Sequence, residues 1–114
     1  MEAFKIKNGI LAQRYLQTSV AMAANDVDLS TGTYFTKTIS GATTFTFSNP
    51  PASGLALGFA LEVVGDGSAI TWPASVKWHE ATAPTATASK ELYTFVTTDG
   101  GTTYYGKKAA EGVA

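Results

Sequence analysis

The sequence contains no cysteine, which excludes disulfide bonds, thiolate metal ligands and cysteine nucleophiles. It has one histidine, His79, so a Ser-His-Asp triad or a zinc site would have to be built around that residue. Only Glu80 lies beside it as a possible metal ligand. We therefore expect His79 to be a loop or interface residue.

Charged side chains are scarce and no sign of charge dominates. They make up 15% of the 114 residues, below the roughly 25% of soluble domains, and the formal net charge is −1. The only basic clusters are Lys5/Lys7 and Lys107/Lys108, so no basic stripe for nucleic acid is present. A surface this poor in charge is typical of one covered by partners, or of one made polar by threonine.

Long apolar runs are missing too. No stretch approaches the roughly 18 apolar residues of a membrane span, and the N-terminus lacks the layout of a secretory signal. We expect no membrane partner.

The carboxylates form no recognisable acid-base or metal motif. Asp26 and Asp28 share one side of an extended segment, but the loop spacing that supplies six to eight oxygens to calcium is absent. We expect both to flank a turn. The other candidates for paired-carboxylate chemistry lie in turns or in unremarkable positions; they are Glu62, Asp66, Glu80, Glu91 and Asp99. The sequence predicts no catalytic, cofactor-binding or metal-binding residue and no enzyme.

What the sequence has in abundance is threonine alternating with aromatic residues, a pattern typical of strands. Thr33–Ile39 and Thr43–Phe47 are predicted to form a hairpin across the turn at residues 40–42. The inward candidates of this pair are Phe35, Ile39, Phe45 and Phe47.

Two further hairpins are predicted downstream. Leu55–Val64 would pair with Ala69–Trp72 across the glycine turn at residues 65–68, with Leu57, Phe59, Leu61 and Val63 on one face. Glu91–Thr97 would pair with Thr102–Lys108 across the turn Asp99-Gly100-Gly101. About seven short strands result, and they predict an all-β fold: a compact antiparallel β-sandwich or jelly-roll-like barrel with an N-terminal extended arm.

The first 24 residues differ from the rest, and we place a boundary there, with the β-domain at residues 25–114. Apolar residues are scattered among polar ones, and residues 11–24 fit a helix or a strand. One interpretation is an arm that adds to a neighbouring subunit; the other is the first hairpin of the same domain. The predicted contact residues of the segment are Phe4, Ile6, Ile10, Leu11, Tyr15 and Leu16.

Aromatic residues are concentrated in the C-terminal half. Trp72 and Trp78 are expected to pack mostly in the core, but exposed rings would stack on sugars or anchor a protein interface. Tyr104 and Tyr105 point to opposite faces of a strand, so one of them should be outward. We select Trp78 and Tyr104 as the partner-binding residues here.

Residues 27–106 resemble a β-rich module of tailed-bacteriophage virion proteins. The resemblance is carried by the strand Thr-Phe-Thr-Phe before Asn49-Pro50-Pro51, by Ile70-Thr71-Trp72-Pro73, by Val76-Lys77-Trp78, and by the hairpin from Phe95 to Gly101. It implies a phage structural protein, found in that family in tail fibres and as capsid decoration proteins, and it carries no catalytic residues.

The chain shows no fibre repeats and no long heptads, which favours a decoration (cement) protein over a fibre. The resemblance implies a virion location on the capsid surface, with the major capsid protein and further copies of the chain, as a homotrimer, for partners. The alternative is a tail-associated module that binds a host glycan.

Overall fold

The computed structural model describes residues 18–113, and within them it contains ten β-strands and no α-helix. The strands are β1 (Val20–Ala21), β2 (Asp26–Asp28), β3 (Tyr34–Thr38), β4 (Thr43–Thr44), β5 (Thr46–Ser48), β6 (Leu57–Val64), β7 (Ile70–Thr71), β8 (Val76–Trp78), β9 (Lys90–Thr97) and β10 (Tyr104–Val113). A short 3₁₀ turn covers His79–Ala81. The predicted all-β class is confirmed. No helix in this part of the chain is long and apolar enough to cross a membrane.

The first seven strands wind as a short three-sided coil of parallel ladders. On one side β1, β3 and β6 lie next to one another; on a second side β4 pairs with β7; on the third, β2 pairs with β5. The chain passes through the three sides in turn, from β3 to β4 to β5, and then returns to the first side with β6. Each turn of the coil therefore stacks on the one before it.

The last strands extend the first side into a six-stranded sheet. β9 runs antiparallel to β6, β10 runs antiparallel to β9, and β8 joins β10 in parallel, giving the order β1-β3-β6-β9-β10-β8. The turn between β9 and β10 has Gly100 and Gly101 at φ 71° and 85°, where a side chain would be strained. The Asp99 carboxylate accepts a hydrogen bond from the Thr103 amide at 2.9 Å. This hairpin confirms the sequence prediction.

The other two predicted hairpins are wrong. β3 does not pair with β4, and β6 does not pair with β7; each pairs in parallel with a strand one turn away in the coil. The corners turn the chain onto a new side instead of back along the same sheet. The Asp66 carboxylate joins two successive corners, because it accepts hydrogen bonds from the amides of Gly41 at 2.7 Å and Ser68 at 2.9 Å.

An antiparallel sandwich or jelly roll does not describe this pairing. Of the seven ladders between described residues, five are parallel, and only those of β9 with β6 and with β10 are antiparallel. Alternation along a strand predicts which face is buried, but it carries no information on the direction of the neighbouring strand.

The core lies inside the coil and is largely aromatic. The Phe47 ring contacts Phe59, Phe95 and Tyr104 with centroids 5.3, 5.2 and 4.8 Å away. Trp72 stacks on Phe45 at 5.2 Å. The predicted inward residues of β3 to β6 are confirmed, since they are buried or pack against the buried cluster; they are Phe35, Ile39, Phe45, Phe47, Leu57, Phe59, Leu61 and Val63.

Candidate interaction surface

The six-stranded sheet has one face in the core and one in solvent, since successive side chains of a strand point to opposite faces. We call the solvent side the outer face. Two neighbouring rows of cross-strand partners form its centre. The first row is Gly58, Val96, Tyr105 and Lys77, and the second is Tyr34, Ala60, Thr94 and Lys107.

The centre of the outer face is apolar and uneven. Val96 is 45% exposed and Tyr105 is 60% exposed, so both present apolar surface to solvent. Gly58 has no side chain beside Val96, and a hollow of about 340 Å³ lies there, which Tyr34 also lines. Val96 also lines a second hollow, of about 470 Å³, on the side of β9 that faces β10 and β8. The valine is therefore a ridge between two depressions.

The second hollow, which we call the basic concavity, has lysines in its rim. It is lined by Lys77, Trp78, His79, Val96, Tyr105 and Lys107, among others. Neither Lys77 nor Lys107 has a carboxylate within ion-pair distance among residues 18–113. By contrast, the Lys90 ammonium lies 3.4 Å from the Glu62 carboxylate. The free positive charges of this surface are thus concentrated at the concavity.

Trp78 and His79 form another wall of the basic concavity. Trp78 is half-buried and contacts Trp72 at 5.3 Å and Phe95 at 5.7 Å between ring centroids. His79 is exposed, and its nearest ionic partner is the Glu80 carboxylate at 3.6 Å. Within the described range, no group of three His, Asp or Glu side chains lies close enough to hold a metal ion. His79 therefore lies at the surface, in the wall of the basic concavity.

Asp26 and Asp28 stabilise the ladder between β2 and β5. Asp26 accepts hydrogen bonds from the hydroxyls of Thr46 at 2.7 Å and Ser48 at 2.5 Å. Asp28 accepts them from Ser30 and from the Asn49 amide at 2.9 Å. The Ser30 hydroxyl, followed by Asn49, holds the pKa of Asp28 below its usual value. Both carboxylates are engaged by side chains of the protein itself.

Glu91 is a buried carboxylate with a full set of partners. It accepts hydrogen bonds from the Tyr93 hydroxyl at 2.6 Å, the Thr87 amide at 2.8 Å and the Lys108 ammonium at 2.9 Å. Burial alone would raise its pKa, but the three donors together outweigh burial and lower the pKa below 4.5. Burial and the bond to Glu91 in turn raise the pKa of Tyr93. This network fastens the loop before β9 to the sheet.

The other carboxylates singled out for paired chemistry have local roles. Glu62 accepts a hydrogen bond from the Tyr34 hydroxyl at 2.6 Å, and this bond is the main cause that lowers the pKa of Glu62. Asp66 and Asp99 accept backbone amides in turns, as the sequence predicts. Glu80 is exposed next to His79.

The predicted contact residues fall into three groups. Phe4, Ile6, Ile10, Leu11, Tyr15 and Leu16 lie outside the described residues. Trp78 lines the basic concavity. Tyr104 is a correction: it is 3% exposed and packs against Phe47, so its ring is unavailable to a partner, and Tyr105 is the outward tyrosine.

Sequence reasoning missed three surface residues, Lys77, Val96 and Lys107. Alternation along β9 separates Val96 from the core residue Phe95, so its outward position was available in principle. The two lysines meet only because β8 joins β10 in parallel, and no local pattern predicts that pairing.

Comparison of the chain with protein-family models, with curated proteins and with solved structures finds no match. The resemblance drawn from the sequence therefore remains a hypothesis.

Proposed function

We propose that this protein is a structural component of a tailed-phage virion that decorates the capsid and stabilises the shell of the major capsid protein. The observation that carries the proposal is the outer face, where Val96 and Tyr105 are exposed between two hollows. Exposed aromatic and aliphatic side chains beside a pocket are the usual anchors of protein interfaces. The sequence resemblance to phage virion modules supplies the class of partner.

Stabilisation of a shell would come from several contacts made together. Linked contacts raise the effective concentration of each other, so weak individual contacts sum to firm attachment. In this proposal a trimer with threefold symmetry presents three copies of every contact to coat subunits around one axis. The N-terminal segment is the second contact, acting as the arm that the sequence suggests.

The arm is best tested by a deletion that keeps the described fold intact. Val20 pairs with Phe35 in the β1–β3 ladder, and Val20 and Met22 pack against the core. A deletion of residues 1–24 would remove these contacts, whereas a deletion of residues 1–17 retains them. We expect the protein lacking residues 1–17 to unfold at nearly the same temperature as the full chain and to lose binding to depleted particles.

The decisive measurement is the number and position of copies on purified particles, by cryo-microscopy and quantitative mass spectrometry. Decoration predicts copies spread over the shell, and particles without the protein that assemble but release DNA at lower temperature. Copies confined to the tail, or unchanged heat resistance of depleted particles, would contradict the proposal. Normal occupancy of the particles by the protein lacking residues 1–17 would contradict the proposal that the N-terminal segment acts as an arm.

A tail-associated, glycan-binding role is the second candidate, and the half-buried ring of Trp78 favours it. Tryptophan at the wall of an open hollow is suited to stacking on a sugar ring. Under this reading, purified protein adsorbs to host cells and Trp78→Ala abolishes adsorption. A Tyr105→Ala variant that adsorbs normally would assign the loss to the indole and not to the outer face in general.

A further inference from the structure

We propose that the basic concavity binds an acidic segment of a partner protein, with carboxylates placed against Lys77 and Lys107 and an apolar side chain packed on Val96 and Tyr105. The inference deepens the proposed function and, where the partner is the coat shell, it rests on that function. It specifies the chemistry of the partner surface.

The apolar part of the argument comes from the first row of the outer face. Val96 and Tyr105 are direct cross-strand partners, and both line the concavity. The concavity is an open depression of about 470 Å³ on the sheet surface, so side chains of a short segment can reach it from solvent. Covering the exposed parts of the valine and the tyrosine would remove apolar surface from water.

The electrostatic part comes from the position of the lysines. Lys77 is the cross-strand partner of Tyr105, and Lys107 follows Tyr105 on the same face of β10. Both are exposed, and neither is neutralised by a carboxylate within the described range. A complementary partner therefore carries negative charge next to its apolar contact, on the side that faces β10 and β8.

A second copy of the chain is a poor occupant of the same site. Twofold packing of one outer face on another places the lysines of both copies in one interface. The central rows contain no carboxylate, and Glu62, in the adjoining row, is already held by Tyr34 and Lys90. Like charges would meet without compensation, which disfavours this pairing. The charge pattern selects a different protein.

The test compares two variants with the same change in net charge. The double variant Lys77→Gln, Lys107→Gln removes two positive charges from the concavity. The double variant Thr44→Glu, Ala52→Glu adds two negative charges at exposed positions outside the six-stranded sheet. The probe is purified particles depleted of the protein. We expect the lysine variant to bind about tenfold more weakly and the control to bind as the parent does.

Salt gives a second readout on the same particles. Binding of the parent protein should weaken as salt is raised from about 50 to about 300 mM, and binding of the lysine variant should depend on salt much less. Equal loss in the lysine variant and the control, or equal salt dependence of both, overturns the inference.

A peptide titration separates this inference from the proposed function. The probes are the acetylated peptide Asp-Asp-Phe-Asp-Asp, its Asn-Asn-Phe-Asn-Asn counterpart, and an oligogalacturonate, each added to ¹⁵N-labelled full chain. Chemical-shift changes of the Gly58, Val96 and Tyr105 amides with the aspartate peptide alone support the inference. They do so even if the protein does not bind the particles and the proposed function is contradicted. Shifts with the oligogalacturonate alone would assign the site to an acidic glycan and would overturn the inference. The absence of shifts with all three probes would also overturn the inference.

Discussion

The carboxylate of Glu91 is fully buried, and its charge is tolerated only because three donors surround it. Lys108, the cationic donor, also bonds the Thr85 carbonyl at 2.6 Å and the Glu111 carboxylate at 2.8 Å. Removing one partner of a buried ion pair leaves the other without compensation, which costs far more than losing an exposed pair.

We expect Glu91→Gln to destabilise the fold by about 3 kcal/mol in urea denaturation, because the Lys108 ammonium loses its buried counter-charge. Glu111→Gln is the matched control, since it removes an exposed carboxylate from the same lysine and should cost under about 1 kcal/mol. Equal losses of unfolding free energy for the two substitutions would show that the burial of Glu91 does not determine the size of the loss.

The same network predicts acid sensitivity. The folded-state pKa of Glu91 lies below its ordinary value of 4.5, so ionised Glu91 stabilises the fold above that value, and this contribution is lost as pH falls through the folded pKa. The parent protein should therefore lose stability between about pH 5 and pH 3 more steeply than Glu91→Gln. Parallel stability curves for the two proteins would contradict the assignment.

Gly106 is required where β10 crosses the aromatic core. A Cβ atom there would lie 2.8 Å from the Phe95 ring and 3.1 Å from Val76. Gly106→Ala should cost about 1–3 kcal/mol through overpacking, measured by thermal or urea unfolding. Gly58→Ala is the control in the same sheet, because its Cβ meets nothing closer than 3.9 Å, and it should be neutral or slightly stabilising. Equal destabilisation by both would reject the packing explanation.

At the scale of elements, the sequence predicts the strands and their buried faces well. It predicts which strands pair with each other only where the two strands follow one another along the chain. The hairpin of β9 and β10 is predicted because its short glycine turn brings the second strand back beside the first, whereas the similar glycine turn after β6 leads the chain onto another side of the coil. β3 and β6 are separated by two other strands, and their pairing depends on the corners that wind the chain. The hydrogen bond from the Gly41 amide to Asp66 joins two such corners, and no local pattern reveals it.

Amide exchange should follow this arrangement of strands. β6 and β9 each have hydrogen-bonded neighbours on both sides, whereas β1 lies at the sheet edge and has two residue pairs with β3. We expect the slowest exchange in Leu61, Val63 and Phe95 and the fastest in Val20 and Ala21, measured by NMR in native buffer. Strong protection of Val20 and Ala21 would indicate that a further strand covers the edge.

At the scale of the whole molecule, β1 and the basic concavity lie towards opposite edges of one sheet. The N-terminal segment leads into β1 at one edge, and the basic concavity is next to β8 at the other. Six strands spaced by about 4.8 Å separate these edges by about 24 Å. Under the proposed decoration role, we expect a body with contacts towards both edges to bind two neighbouring coat subunits.

The sequence predicts this surface only in part. Trp78, which the sequence selects, lines the basic concavity. The sequence also selects Tyr104 where the structure exposes Tyr105, because two adjacent tyrosines give no difference in polarity that would show which of them faces the core. The lysines of the basic concavity come from β8 and β10, whose parallel pairing depends on the complete chain.

The coiled winding also determines when the chain can fold as it leaves the ribosome. The edge of β3 that faces the middle of the sheet has no partner strand until β6 has been synthesised. The other edge of β6 stays unpaired until β9 has been synthesised. A nascent chain that stops before Lys90 therefore exposes an apolar strand with unpaired backbone groups, the kind of edge on which chains aggregate. Synthesis of the last two strands is what closes the fold, so we expect productive folding to be largely post-translational.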